Sequence, residues 1–69
     1  MKEYAFHMES AKGIYSGSMF FDTRKEACEF SKKWSEGGDG TREIYIMEMD
    51  ESGFDYVWSA KYAGGEKQY

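Results

Sequence analysis

The chain has 69 residues, a net charge of −4 and a single Cys, with no Leu, Pro or Asn. That length supports one domain with one modest core, the lone Cys excludes an internal disulfide and fits a reducing cytosol, and no apolar run approaches the length of a membrane span or signal-peptide core. Branched aliphatics are confined to Ile14, Ile44, Ile46 and Val57, so aromatic side chains and Met must fill the interior.

Tyr4–Glu9 alternates, with Tyr4, Phe6 and Met8 on one face and Ala5, His7 and Glu9 on the other, the pattern of a half-buried strand. Ser10-Ala11-Lys12-Gly13 reads as a turn and Ile14–Phe21 as the returning strand. Gly17, between Ser16 and Ser18, leaves little side chain in mid-strand and predicts a bulge or a close approach by another backbone. Thr23 followed three residues later by Glu26 is a capping box that opens the only helix. Ala27, Phe30, Ser31 and Trp34 form its buried stripe, and Gly37-Gly38-Asp39-Gly40 ends it. Arg42–Met49 and Phe54–Tyr62 are the third and fourth strands, joined by the turn Asp50-Glu51-Ser52-Gly53. Residues 63–69 show no pattern and are expected to fray.

The predicted fold is a single α+β domain over residues 1–69, ordered β-β-α-β-β, with a four-stranded antiparallel sheet and one helix packed on one face. A helix of this length runs back along the strand before it, which leaves two spatial orders, 2-1-3-4 and 1-2-4-3. Either order leaves the second sheet face uncovered. Strands three and four carry large side chains at both parities, with Tyr45, Met47 and Met49 alternating with Ile44 and Ile46, and Tyr56 and Trp58 flanking Val57. A surplus of exposed aromatics and Met marks an interface.

Charge is unevenly spread. Residues 1–35 carry six Lys/Arg against five Asp/Glu, whereas residues 36–55 carry seven acids against Arg42 alone, a net of −6. Such a surface repels phosphate backbones and anionic lipid and attracts basic protein surfaces. The expected partner-binding surface therefore combines Glu43, Tyr45, Met47, Glu48, Asp50, Glu51, Asp55, Tyr56 and Trp58.

Nothing in the spacing points to catalysis: His7 is the only imidazole, Cys28 the only thiol, and they belong to different elements. No metal or other cofactor is expected, because the acidic turn Asp50–Asp55 lacks the ligand pattern of a calcium loop and there is no cluster of zinc ligands. Aromatic-bearing sheets bind single-stranded nucleic acid only with a basic surround, and here the aromatics share their strands with the acids.

A hairpin followed by Phe21-Asp22-Thr23-Arg24-Lys25-Glu26-Ala27-Cys28-Glu29-Phe30 is similar to the start of the arm-type DNA-binding domains of phage integrases, over the first half of the chain. In size, acidity and single-domain α+β build, the whole chain resembles the small phage-encoded anti-CRISPR inhibitors. That second resemblance implies a non-catalytic inhibitor, at work in the cytoplasm of a bacterial host, that blocks a larger basic protein or ribonucleoprotein complex without contacting nucleic acid or membrane. The alternative is a homodimeric structural or regulatory protein that buries its open sheet face.

Overall fold

A computed structural model describes residues Met1–Tyr69. The elements are β1 (Lys2–Ser10), β2 (Gly13–Phe21), α1 (Arg24–Glu36), β3 (Glu43–Met49), β4 (Tyr56–Ala63) and a short β5 (Glu66–Lys67). All pair antiparallel in one sheet, in the order β2-β1-β3-β4-β5. The α+β architecture with one helix on one face is the one the alternation predicts, and the 2-1-3-4 order is the one adopted. Its physical reason lies in the side chains. Tyr4, Ile44 and Ile46 are the largest fully buried residues, and the alternative order would put both strands that carry them at the sheet edges.

The register sets Phe6 opposite Ile46 and Met8 opposite Ile44 on the covered face. Tyr4, Phe6, Ile44, Ile46, Ala60, Tyr62 and Ala27 make the core, with Met8, Phe21, Cys28, Phe30, Trp34 and Trp58 packed around it. The helix meets the sheet through small residues: Ala27, Ser31 and Ser35 are its buried positions, and the Ser31 hydroxyl is satisfied by donating to the Ala27 carbonyl at 3.0 Å. This lets the helix backbone come close, while Phe30 and Trp34 flank the seam edge-to-face against Phe6 at 5.4 and 6.1 Å between centroids.

Helix ends are tied as capping requires. The Thr23 hydroxyl accepts from the Glu26 amide at 3.2 Å. At the other end the Trp34 carbonyl accepts from the Gly37 amide at 3.2 Å and from Arg42 Nη1 at 3.1 Å, a cation where the helix dipole favours one. Gly17 makes no bulge, since all nine β1–β2 pairs are continuous; instead the Tyr15 ring folds over it, and a Cβ there would meet the Tyr15 hydroxyl at 2.9 Å.

Residues 63–69 do not fray as expected. Gly64 and Gly65 turn at positive φ, Glu66–Lys67 pairs with β4, and the Gly65 amide donates to the buried Ser35 hydroxyl at 2.9 Å. The Lys61 amide then donates to the Tyr69 carbonyl at 3.2 Å, and the Gln68 amide to the Lys61 carbonyl at 2.7 Å.

One core group is left unpaired. The Tyr4 hydroxyl is buried without a hydrogen-bond partner, and burial, followed by the charge of Glu48, holds its pKa above the usual phenol value. Removing an unsatisfied buried hydroxyl relieves a desolvation cost. Tyr4→Phe is therefore expected to raise stability to urea by about 1 kcal/mol. Phe6→Ala, which empties the centre of the aromatic cluster, should cost about 3–5 kcal/mol and leave a domain of this size largely unfolded. Urea midpoints of the two variants check both signs.

Candidate functional site

The start of β1, the end of β2 and the β3–β4 turn meet at one end of the sheet. They enclose an open groove of about 650 Å³ lined by Met1, Lys2, Glu3, Phe20, Asp22, Glu48, Met49, Asp50, Glu51, Gly53 and Val57. The lining thus includes five acidic residues and a single Lys. Apolar side chains project beside them, Phe20 and Val57 from the wall and Phe54 and Tyr56 from the adjoining turn and strand, all more than half exposed.

The one interior acid explains the imbalance. Glu48 keeps only 2% of its surface exposed, because it shares the parity of Ile44 and Ile46 and points under the helix. Arg24 grips its Oε2 through Nε and Nη2, both at 2.7 Å, two charge-assisted contacts converging on one oxygen, and Lys2 Nζ approaches Oε1 at 3.1 Å. Burial pushes the Glu48 carboxyl up, but the hydrogen bonds and charges of Arg24 and Lys2 outweigh it and leave the pKa below the usual carboxylate value. Arg24 also lies over the Trp58 ring at 4.8 Å. Glu48 thus engages Lys2, the only Lys or Arg side chain in the groove's lining, whereas Glu3, Asp22, Asp50 and Glu51 have no ion-pair partner among the side chains.

The turn itself is held by Asp50. Its Oδ1 accepts from the Ser52 amide at 3.0 Å, the Gly53 amide at 3.2 Å and the Ser52 hydroxyl, an Asx-type turn. Gly53 supplies the positive φ of +76° that completes it. The Ser52 hydroxyl is the main reason why the Asp50 carboxyl sits below its ordinary pKa. Glu51 and Asp55 are left exposed.

Of the nine residues expected to form one surface, the structure gathers Asp50, Glu51, Asp55 and Tyr56 at this end. Glu43, Tyr45 and Met47 lie further along the open face, where Lys61 neutralises Glu43 at 2.8 Å and sits 5.2 Å over the Tyr45 ring. Two expectations are corrected. Glu48 is buried, not exposed. Trp58 is on the helix side, because it follows Tyr62 and Ala60 in regular alternation and pairs with Glu48; a register shift at Glu48/Met49 then pairs Tyr56 with Met49 on the open face, so Tyr56 and Trp58 do not share a face. Missing from the sequence-based surface were Glu3, Phe20 and Asp22, which the antiparallel β1–β3 pairing brings to the β3–β4 turn.

His7 and Cys28 occupy opposite sides of the sheet. His7 does meet other polar groups on the open face, with Nδ1 2.9 Å from the Ser16 hydroxyl and Nε2 3.5 Å from Glu9. These three lie on the paired strands β1 and β2, outside the lining of the groove. Cys28 is half-buried in the core margin beside Tyr62, whose phenol is pushed up to about 12 by burial and by that thiol.

The Glu48 cluster makes the fold acid-sensitive with a defined sign. Its folded pKa lies below the ordinary 4.5, so its stabilisation is complete above that value and is lost as pH falls through the folded pKa. In the double variant Lys2→Met, Arg24→Met, burial acts alone and reverses the shift, so stability falls as pH rises through the new value. Melting temperatures at about pH 3 and pH 7 should show the wild type gaining stability with pH, through Glu48 together with the likewise depressed Asp39 and Asp50. The double variant should show a clearly smaller gain or a loss; an unchanged gain would contradict the assignment.

No protein-family model, curated protein or solved structure shows significant similarity to the chain, which leaves the geometry of this acidic end to speak for function.

Proposed function

We propose that the chain is a non-catalytic binding protein whose acidic, aromatic-flanked end occupies a basic, nucleic-acid-handling surface of a larger protein or ribonucleoprotein complex, the kind of target that anti-CRISPR proteins block. The observation that carries this reading is the groove, where Glu3, Asp22, Asp50 and Glu51 stand without cations of their own beside exposed Phe20, Val57, Phe54 and Tyr56. Carboxylates spaced along a protein rim compete with phosphates for the same Lys and Arg side chains and accelerate encounter. The neighbouring apolar side chains supply the desolvated contacts that slow release. No helix is long and apolar enough to cross a membrane, and action in the cytosol belongs to the same proposal.

A homodimer that buries the open face has less support. Ser16, Ser18, Ser59, His7 and Lys61 occupy the middle of that face and would have to be desolvated.

The test is competition. Added to purified CRISPR effector complexes, the protein should displace duplex target DNA from at least one, and more weakly as salt rises. Reversing Asp22, Glu51 and Asp55 together to Lys should slow association about tenfold or more, while Glu43→Lys at the far end of β3 should have little effect. Equal potency of the triple variant, with its melting temperature retained, would sink the electrostatic mechanism.

A further inference from the structure

The two edges of the sheet are built in opposite ways. β5 is only two residues, Glu66 and Lys67, both charged, a short edge of the kind that resists further pairing. β2 is nine residues long, Gly13-Ile14-Tyr15-Ser16-Gly17-Ser18-Met19-Phe20-Phe21, and contains no charged residue and no Pro. It runs without a bulge along β1. Ile14, Tyr15, Met19 and Phe20 are 70, 53, 42 and 60% exposed. None of the devices that keep an edge strand solitary is present.

From this edge we propose that the protein forms a symmetric dimer in solution, in which β2 pairs antiparallel with β2 of a second copy about a two-fold axis at Gly17, giving a continuous ten-stranded sheet. The strand is self-complementary in that register. Gly17 is its midpoint, so every residue from Gly13 to Phe21 finds a partner. Ile14 of one copy meets Phe20 of the other on the open face, Ser16 meets Ser18, and Tyr15 meets Met19 on the helix side, all pairings that suit antiparallel neighbours. Shifting the axis to Ser16 or Ser18 leaves residues unpaired at the strand ends.

Charge leaves this strip open to that occupant. With 13 acids against 9 bases the chain repels its own copies, and β2 is the strip along which two copies meet without setting like charges opposite each other. The two Ser–Ser pairs and the flanking aromatic–aliphatic pairs are buried together with the backbone groups that the free edge leaves in water, as isologous contacts require. Because opposed residues of an antiparallel pair share a face, the two-fold axis is perpendicular to the sheet. Both helices then lie on one side and the two acidic ends point in opposite directions. The pairing does not rest on the function proposed above and leaves both grooves open.

Sedimentation equilibrium over a micromolar range tests it, with a mass near twice the 8.0 kDa of the chain expected. The double variant Ser16→Lys, Ser18→Lys sets like charges across the axis and should weaken the dimer at least tenfold, with its melting temperature retained in dilute solution. Mixing it with Ser16→Glu, Ser18→Glu should restore a dimer containing one of each. A wild type that stays at 8.0 kDa throughout, as a strand offered only to other proteins would require, overturns the proposal. So does a dimer indifferent to these charges, which must use another surface. Should the Lys variant fail to fold, amide exchange of the wild type decides: protection of Ile14–Phe20 must rise with protein concentration, and exchange that does not depend on concentration overturns the pairing.

Discussion

The antiparallel pairing of β1 with β3 is the contact on which the rest of the molecule depends. It sets Phe6 opposite Ile46 and Met8 opposite Ile44, with Tyr4 across from Glu48, and Tyr4, Phe6, Ile44 and Ile46 are four of the seven buried core residues in a chain without Leu. It also fixes what lies at each end of the sheet. The beginning of β1 reaches the β3–β4 turn, so Lys2 and Glu3 join Glu48, Asp50 and Glu51 around one groove. The same pairing leaves β2 with one neighbour and an open edge.

Electrostatics at the groove follow from a single buried acid. Glu48 occupies a core-facing position and is tolerated there because Arg24, at the start of the helix, and Lys2, at the start of the sheet, both reach it. The ion cluster thereby ties the helix N-terminus to β1 and β3, and the Trp58 ring packs beneath the Arg24 guanidinium. A consequence is local charge separation: cations are drawn toward the interior carboxylate, and the acids on the outer wall of the groove face solvent without them. Core stability and the character of the surface are thus set by the same three side chains.

Much of the fold was legible in the sequence. Alternation in Tyr4–Glu9 and Arg42–Met49, the Thr23 cap and the glycines after Glu36 gave the elements and their order, because each depends on neighbours in the chain. What stayed hidden depends on distant ones. Alternation in fact places Glu48 with Ile44 and Ile46, yet an acid reads as exposed until the Arg and Lys that neutralise it are known to converge. The register shift beside Met49 separates the faces of Tyr56 and Trp58, and no local signal at Val57 announces it. Residues 63–69 are held by one amide on Ser35 and a few backbone bonds to β4, contacts that carry no hydrophobic pattern. The acidic character of the candidate site was visible, whereas the contributions of Glu3, Phe20 and Asp22 required the strand order.

Strand order is also where the account can be tested most directly. Nuclear Overhauser contacts between backbone protons of β1 and β3 should join Phe6 to Ile46, His7 to Tyr45 and Met8 to Ile44, in the register of the structure. Contacts between β2 and β4 instead, with none between β1 and β3, would establish the 1-2-4-3 order, move the core strands to the edges and dissolve the acidic groove.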